Sequence, residues 1–193
     1  MSIITDIHTH DAHRENAVIN LAPGMSIESG RLYSVGIHPW DTITREVAEI
    51  EPLLTNPQVV AIGEVGIDKL RGAPIERQIE IFRQQVELSE ELCLPMLLHV
   101  VKAFPDIIAV KNSMKPGMPW IIHGFRGKPQ LARELLSHGF YISLGEKYNR
   151  ETVAIIPSDR LLVESDESTL HASTIADSLP QYDPMLPSRL FSR

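Results

Sequence analysis

The sequence is nearly without cysteine: Cys93 is the only one in 193 residues. A single thiol excludes an intrachain disulfide and a cysteine-rich zinc site, and it fits a reducing compartment, so a cytoplasmic protein is expected. No apolar run approaches the length of a membrane span, and none is expected to engage a bilayer. The opening "MSIITDIHTH" lacks the basic stretch and apolar run of an export signal. Positive charge is also in short supply, with 18 Lys and Arg against 25 Asp and Glu and a net charge of −7. That balance argues against a broad electrostatic grip on nucleic acid, though not against a local basic patch. Internal repeats and low-complexity segments are absent. What the chain does have is ordinary globular composition, 43% hydrophobic and 22% charged, and enough length for one sizeable core. A single domain over residues 1–193 is expected.

Short apolar, β-branched runs alternate with segments of helical spacing. Strands are expected at 3–8, 17–21, 32–38, 59–65, 95–100, 119–124, 140–145 and 160–165. The runs are apolar on both faces, as buried parallel strands are. The clearest helix is "PIERQIEIFRQQVELSEELCL", with Ile75, Ile79, Phe82 and Val86 at helical spacing and Pro74 at a first helical position. Cys93 falls on its apolar face and is expected in the core. "KPQLARELLSHG" and "FPDIIAVKNSM" read as helices, and "REVAEIEPLL" as a helix that bends or stops near Pro52. The segment "APGMSIESG" is too short and too rich in glycine and proline for a good helix. Eight strands with helical crossovers predict an α/β fold, a (β/α)8 TIM barrel. Such barrels usually run to about 250 residues, so this is a compact, trimmed example. An open doubly wound sheet is the alternative.

The strand ends share a chemistry. His8 and His10 close the first strand, His38 the third, Glu64 the fourth, His99 the fifth, His123 the sixth, and Asp166 follows the eighth. In "TDIHTH" the acid and both histidines alternate, which in a strand places Asp6, His8 and His10 on one face. A barrel gathers all these ends at one mouth. Imidazole and carboxylate suit divalent cations such as Zn, Mn or Mg. His8, His10, Glu64, His99, His123 and Asp166 offer enough donors for two ions. Glu64 has two oxygens and the charge to bridge a pair about 4 Å apart. Taken singly, each residue also has a plainer role: Asp166 as the cap of a helix starting near Thr169, or Glu64 as a buried acid paired with lysine. His13, His138 and His171 fit no strand end and are expected at the surface.

In order and register, "DIHTH", "VGIHPW", "AIGEVGID", "PMLLHV", "IIHGFRG" and "LLVESD" resemble the TatD family of metal-dependent hydrolases, over about residues 4–168. The resemblance implies a barrel with a divalent metal pair and hydrolysis of phosphodiesters, often in DNA. It implies that His8, His10, Glu64 and Asp166 hold one metal, and that Glu64, His99 and His123 hold the other. It also implies that Glu64 and Asp166 are catalytic, and that His38 of "GIHPW" lies near substrate.

Departures from the family pattern cluster around the substrate. "HVVKA" replaces the usual "HSRDA" and brings Lys102; "HGFRG" replaces "HCFTG" and brings Arg126; "ESDES" replaces "ETDSP" and adds Glu167. Lys102 and Arg126 are therefore candidate phosphate contacts. Trp40 is a candidate for stacking on a base, or else for packing at the mouth. After Asp166 only 27 residues follow, with Pro180, Pro184 and Pro187 expected to break helices. The expected substrate is a phosphodiester such as single-stranded DNA, since the net charge disfavours a duplex track. A small-molecule amidohydrolase or lactonase using the same metals, or a degenerate barrel without turnover, are the alternatives.

Overall fold

The structure is a computed structural model that describes residues 4–192. The expected start of the first strand at Ile3 lies outside the described residues. Eight parallel strands close a barrel in sequence order: β1 (Asp6–Thr9), β2 (Ala17–Asn20), β3 (Leu32–Val35), β4 (Val59–Asp68), β5 (Met96–Val101), β6 (Trp120–Ile122), β7 (Tyr141–Leu144) and β8 (Leu161–Val163). Pairing of Asp6 with Val163 closes the ring. The expected fold is the one observed.

Continuous apolar strands are explained by two separate cores. Ile7, Val18, Ala61, Leu97, Ile121 and Leu162 form one cluster inside the barrel. Their neighbours Ile62, Met96, Leu98, Trp120, Ile122, Leu161 and Val163 pack outward against the helices. An apolar strand residue therefore finds an apolar surface to pack on, whichever way it points. Longer crossovers supply α2 (Ile75–Leu92), α3 (Phe104–Met114) and α4 (Pro129–Ser137). The β2–β3 connection carries no helix, as its composition implies.

Several boundaries differ from the sequence expectation. The "REVAEIEPLL" segment forms a 3-10 turn (Val47–Glu49) and then a separate short α1 (Glu51–Leu54), and Pro52 sits in the first turn of α1 rather than ending a helix. Proline lacks an N–H, and a first turn has no use for one. For the same reason Pro187 starts α7 (Leu186–Leu190) instead of breaking it. Pro74 caps α2 from just outside. Cys93 is exposed, not in the core: it ends α2 in the left-handed region, with φ 55°, where the chain turns away from the apolar face. The remaining α-helices among the described residues are α5 (Arg150–Val153) and α6 (Ala172–Asp177), with a second 3-10 turn at Ser158–Arg160. Since α6 begins at Ala172, Asp166 caps no helix.

α7 closes the end of the barrel opposite the histidines. Leu186 and Phe191 are buried against Ile4, Ile7, Val18 and Leu162. The Ser188 hydroxyl accepts from the Ile4 amide at 3.4 Å. Among the described residues no helix is long and apolar enough to cross a membrane.

Candidate metal centre

The strand ends deliver the predicted side chains to one mouth, but by routes the sequence does not announce. The pairing of β1 with β2 shifts register between Asp6 and Thr9, so strict alternation fails there. Asp6 does not join the histidines. Its carboxylate accepts from the Ser165 amide at 2.9 Å and the Ser165 hydroxyl at 2.6 Å, which ties β1 to the segment after β8. Burial pushes the Asp6 carboxyl up to about 6. β3 stops at Val35, so His38 sits in the following loop. β4, by contrast, runs past Glu64 to Asp68, because Gly66 pairs with His99 and Asp68 with Val101. Gly66 has φ +139°, and a Cβ there would lie 2.1 Å from the His99 carbonyl oxygen. Only glycine lets β4 come this close to the strand that bears His99.

Two glutamines on the buried face of α2 fix the loops around the mouth. Gln85 accepts from the Ile37 amide at 2.7 Å, next to His38. Gln78 accepts from the Asp68 amide at 2.8 Å and donates to the carbonyls of Asp68, Arg71 and Ala73. Apolar periodicity picks out Ile75 and Ile79 on this helix, yet those two are only half-buried while both glutamines are buried. Their signal is a polar residue at a core position.

Glu64 is the centre of the cluster, 6% exposed, with one oxygen turned to each side. Oε2 lies 3.5 Å from His8 Nε2 and 3.4 Å from His10 Nε2. The same two nitrogens lie 3.7 and 3.6 Å from Asp166 Oδ1. Oε1 lies 2.8 Å from His99 Nδ1, 2.8 Å from His123 Nε2 and 3.4 Å from His38 Nε2. Gaps of 3.4–3.7 Å are long for hydrogen bonds. They match the roughly 3.4 Å between two donors that share a tetrahedral ion at about 2.1 Å. His8 is fully buried, and neither of its ring nitrogens has a hydrogen-bond partner among the described residues. A buried imidazole with two unmet nitrogens is costly unless something else takes its lone pair. The donor set therefore fits divalent cations. Groups within mutual reach of one ion include His8 with His10 and Asp166, and His8 with Glu64 and His123.

Burial would push the Glu64 carboxyl up; the His123 charge and hydrogen bond, with the His10 and His38 rings close by, outweigh it and hold the carboxyl well below its usual range. The neighbouring Glu64 carboxylate raises His10. Burial works to lower His123, but Glu64 and Glu164 together raise it well above the ordinary imidazole value.

Three contributors escaped the sequence reading. Glu164, in "VESD", is fully buried; its Oε1 accepts from the Gly124 amide at 2.6 Å and lies 3.2 Å from His123 Nδ1. With a cation at the cluster, a proton held between Nδ1 and this carboxylate would leave the His123 Nε2 lone pair free to ligate it. Asp68 accepts from Trp40 Nε1 at 2.7 Å and lies 3.5 Å from His99 Nε2. Asn20 accepts from the Glu64 amide at 3.2 Å. All three are polar residues at buried or strand-end positions, the one trait that could have marked them.

His38 differs from the other imidazoles. Its Nδ1 accepts from the Trp40 amide at 3.2 Å, so in the neutral ring the proton is on Nε2. That nitrogen donates and has no lone pair for a cation. The cleft above the cluster has a volume of about 320 Å3 and is walled by Leu21, Ala22, Pro23, Trp40 and Arg45. Arg126 is exposed and lines a neighbouring cleft of about 370 Å3 that shares Asp166 and Glu167 with the first. Lys102 is exposed on the loop after β5 and lines neither cleft. His13 and His171 are exposed and His138 is half-buried, all away from the cluster.

A closed parallel barrel with imidazoles and carboxylates converging at the carboxyl ends of its strands has the layout of metal-binding barrels. The sequence profile of the family described as TatD related DNase matches residues 4–178, and the chain belongs to that family. It is 36% identical over 145 residues to the metal-dependent hydrolase YabD of Bacillus subtilis, a match covering 69% of this chain and 57% of that protein. It is 30% identical over 179 residues to the 3'-5' ssDNA/RNA exonuclease TatD of Erwinia billingiae, covering 85% of this chain and 66% of that one. The chain thus spans little more than half the length of the YabD relative. Among solved structures, a TatD homologue from Escherichia coli, YJJV, superimposes with a TM-score of 0.75 over 98% of this chain and 95% of that one, at 17% identity. That likeness shows the fold.

Proposed function

We propose that this chain is a metal-dependent hydrolase that cleaves phosphodiester bonds and acts as a nuclease on single-stranded DNA. The observation that carries the reading is Glu64, buried between two imidazole sets with one oxygen turned to each. His8, His10 and Asp166 would hold one cation with Oε2, and His99 and His123 a second with Oε1, the ions being Zn, Mn or Mg. Bound there, such a pair supplies a water nucleophile at neutral pH and neutralises the charge that develops on the phosphate oxygens.

The chain's own groups do the rest. His38 offers its Nε2–H as a donor toward an anionic oxygen at the cluster. Asp166, 29% exposed at the cleft, would receive a proton from the attacking water. Arg126, in the adjoining cleft, and Lys102, three residues beyond His99, would meet phosphates of a longer strand. The relative named as an ssDNA/RNA exonuclease, and the family description as TatD related DNase, support a nucleic-acid substrate. The single cysteine supports a cytoplasmic setting, and the chain is read as one barrel domain.

The test is direct. The protein is loaded in turn with Zn, Mn and Mg, and turnover is measured on a chromogenic phosphodiester, an ester, an amide and a single-stranded oligonucleotide. The phosphodiester and oligonucleotide should be cleaved, and chelation should abolish cleavage. Turnover of the ester or amide alone would favour an amidohydrolase or lactonase. No turnover with metal bound would make the barrel degenerate.

A further inference from the structure

The cleft above the cluster is asymmetric. One wall is apolar, formed by Leu21, Ala22 and Pro23 of the β2–β3 connection. Facing the cleft from the β3–α1 connection is Trp40, 38% exposed, with part of its ring open to the cavity. The indole is held firmly. Its N–H donates to Asp68 at 2.7 Å, and its ring meets those of His38 and His99 edge-on at 4.5 and 5.6 Å between centroids. The Arg71 guanidinium stacks 3.7 Å from the ring centroid, and Arg71 is not among the cleft residues. The ring is thus braced from outside and presented to the cavity.

Charge in the cleft is equally uneven. Asp41, Glu64, Asp166 and Glu167 line it, with Arg45 the only Lys or Arg among the lining residues. Arg45 is oriented by Glu49, which accepts from its Nε at 3.1 Å; its terminal nitrogens have no hydrogen-bond partner among the described residues. A volume of about 320 Å3 is at the small end of ligand sites, suited to one nucleotide unit and too small for a base pair.

We infer that the cleft is a single-nucleotide slot, with the base stacked on Trp40 against the Leu21–Pro23 wall and a flanking phosphate met by Arg45. This rests on the phosphodiesterase reading of the cluster, and it names what selects the substrate. An aromatic face accepts any base, because every base has a π-surface, so the slot requires an unpaired nucleotide without reading sequence. A base in a duplex is already stacked and paired and cannot enter.

The test uses a property of the chain. It has two tryptophans, and Trp120 is buried, so ligand-induced change in tryptophan fluorescence reports Trp40. Metal-loaded protein is titrated with dAMP and with 2-deoxyribose 5-phosphate, which lacks only the base. Quenching by dAMP and none by the sugar phosphate is expected. Calorimetry should show Arg45→Ala weakening dAMP binding about 5- to 10-fold, the scale of a partly exposed charge-assisted hydrogen bond.

In turnover, Trp40→Ala should lower kcat/KM roughly 5- to 100-fold on an oligonucleotide with an ordinary terminal base. On the same strand ending in an abasic unit the loss should be several-fold smaller, and Trp40→Phe should recover part of the difference. Equal quenching by both ligands, no quenching, or equal losses on both strands would overturn the slot. Base-dependent quenching without turnover on any phosphodiester would instead sink the activity and leave the slot standing.

Discussion

Both ends of this barrel hold fully buried side chains, but of opposite materials. At one end Ile4, Ile7, Leu186 and Phe191 close the cavity with apolar side chains. At the other, His8, Glu64 and Glu164 are just as enclosed, yet all are polar. Apolar burial stabilises wherever it occurs, at about 25 cal/mol per Å2. Buried imidazoles and carboxylates are stable only through one another, or through something they bind. The plug is therefore where the fold is secured, and the mouth is where stability is given up for binding. Damage at one end should show in stability, and damage at the other in metal and turnover.

Glu64→Gln is the largest expected effect. An amide offers one neutral acceptor oxygen where the carboxylate has two anionic ones, so at least one cation should be lost and activity should fall about 1000-fold. Metal analysis alongside turnover checks it; two ions retained with normal turnover would refute the bridging role. At the far end, Phe191→Ala should cost about 3–4 kcal/mol in urea unfolding of the metal-free protein, with metal content unchanged in what remains folded. A small stability loss with lost metal would erase the contrast between the ends.

Asp6 lies between the two regimes, a buried acid bonded to Ser165 but outside the cation cluster. Its carboxyl is raised from 3.8 to about 6, so the folded protein holds this proton more tightly than the unfolded chain. The stability it adds is present in full below about pH 4 and is lost as pH rises through about 6. Relative to Asp6→Asn, the wild type should lose about 3 kcal/mol between pH 4 and pH 8, measured by denaturation in chelator. A pH-independent difference would contradict the shift.

Glu164→Gln is the mildest. It should keep a hydrogen bond to His123 but lose the charge that fixes the ring proton on Nδ1, lowering metal affinity about 10- to 100-fold. Unaltered affinity would make Glu164 only a strut for Gly124.

The barrel was legible because most strand residues are apolar whichever way they point, in eight short runs separated by polar or helical segments. The six candidate ligands were legible because strand ends in a barrel meet at one mouth. Less could be read where polar residues do structural work. Gln78 and Gln85 look like helix surface in the sequence, yet they anchor the loops that carry Asp68 and His38. Glu164 adjoins the expected ligand Asp166 and was overshadowed by it. Asp6 was grouped with the histidines because alternation assumes an even strand, and the register shift in β1 breaks that assumption. Cys93 illustrates the same limit at a helix end, where the last turn leaves the face that periodicity assigns.

The central claim is that Glu64 stands between two cations, and anomalous diffraction from crystals soaked in zinc tests it most directly. Two peaks per chain are expected, one about 2 Å from Glu64 Oε2 beside His8, His10 and Asp166, the other about 2 Å from Oε1 beside His99 and His123. A single peak out of reach of Glu64, or none at the mouth, would contradict it.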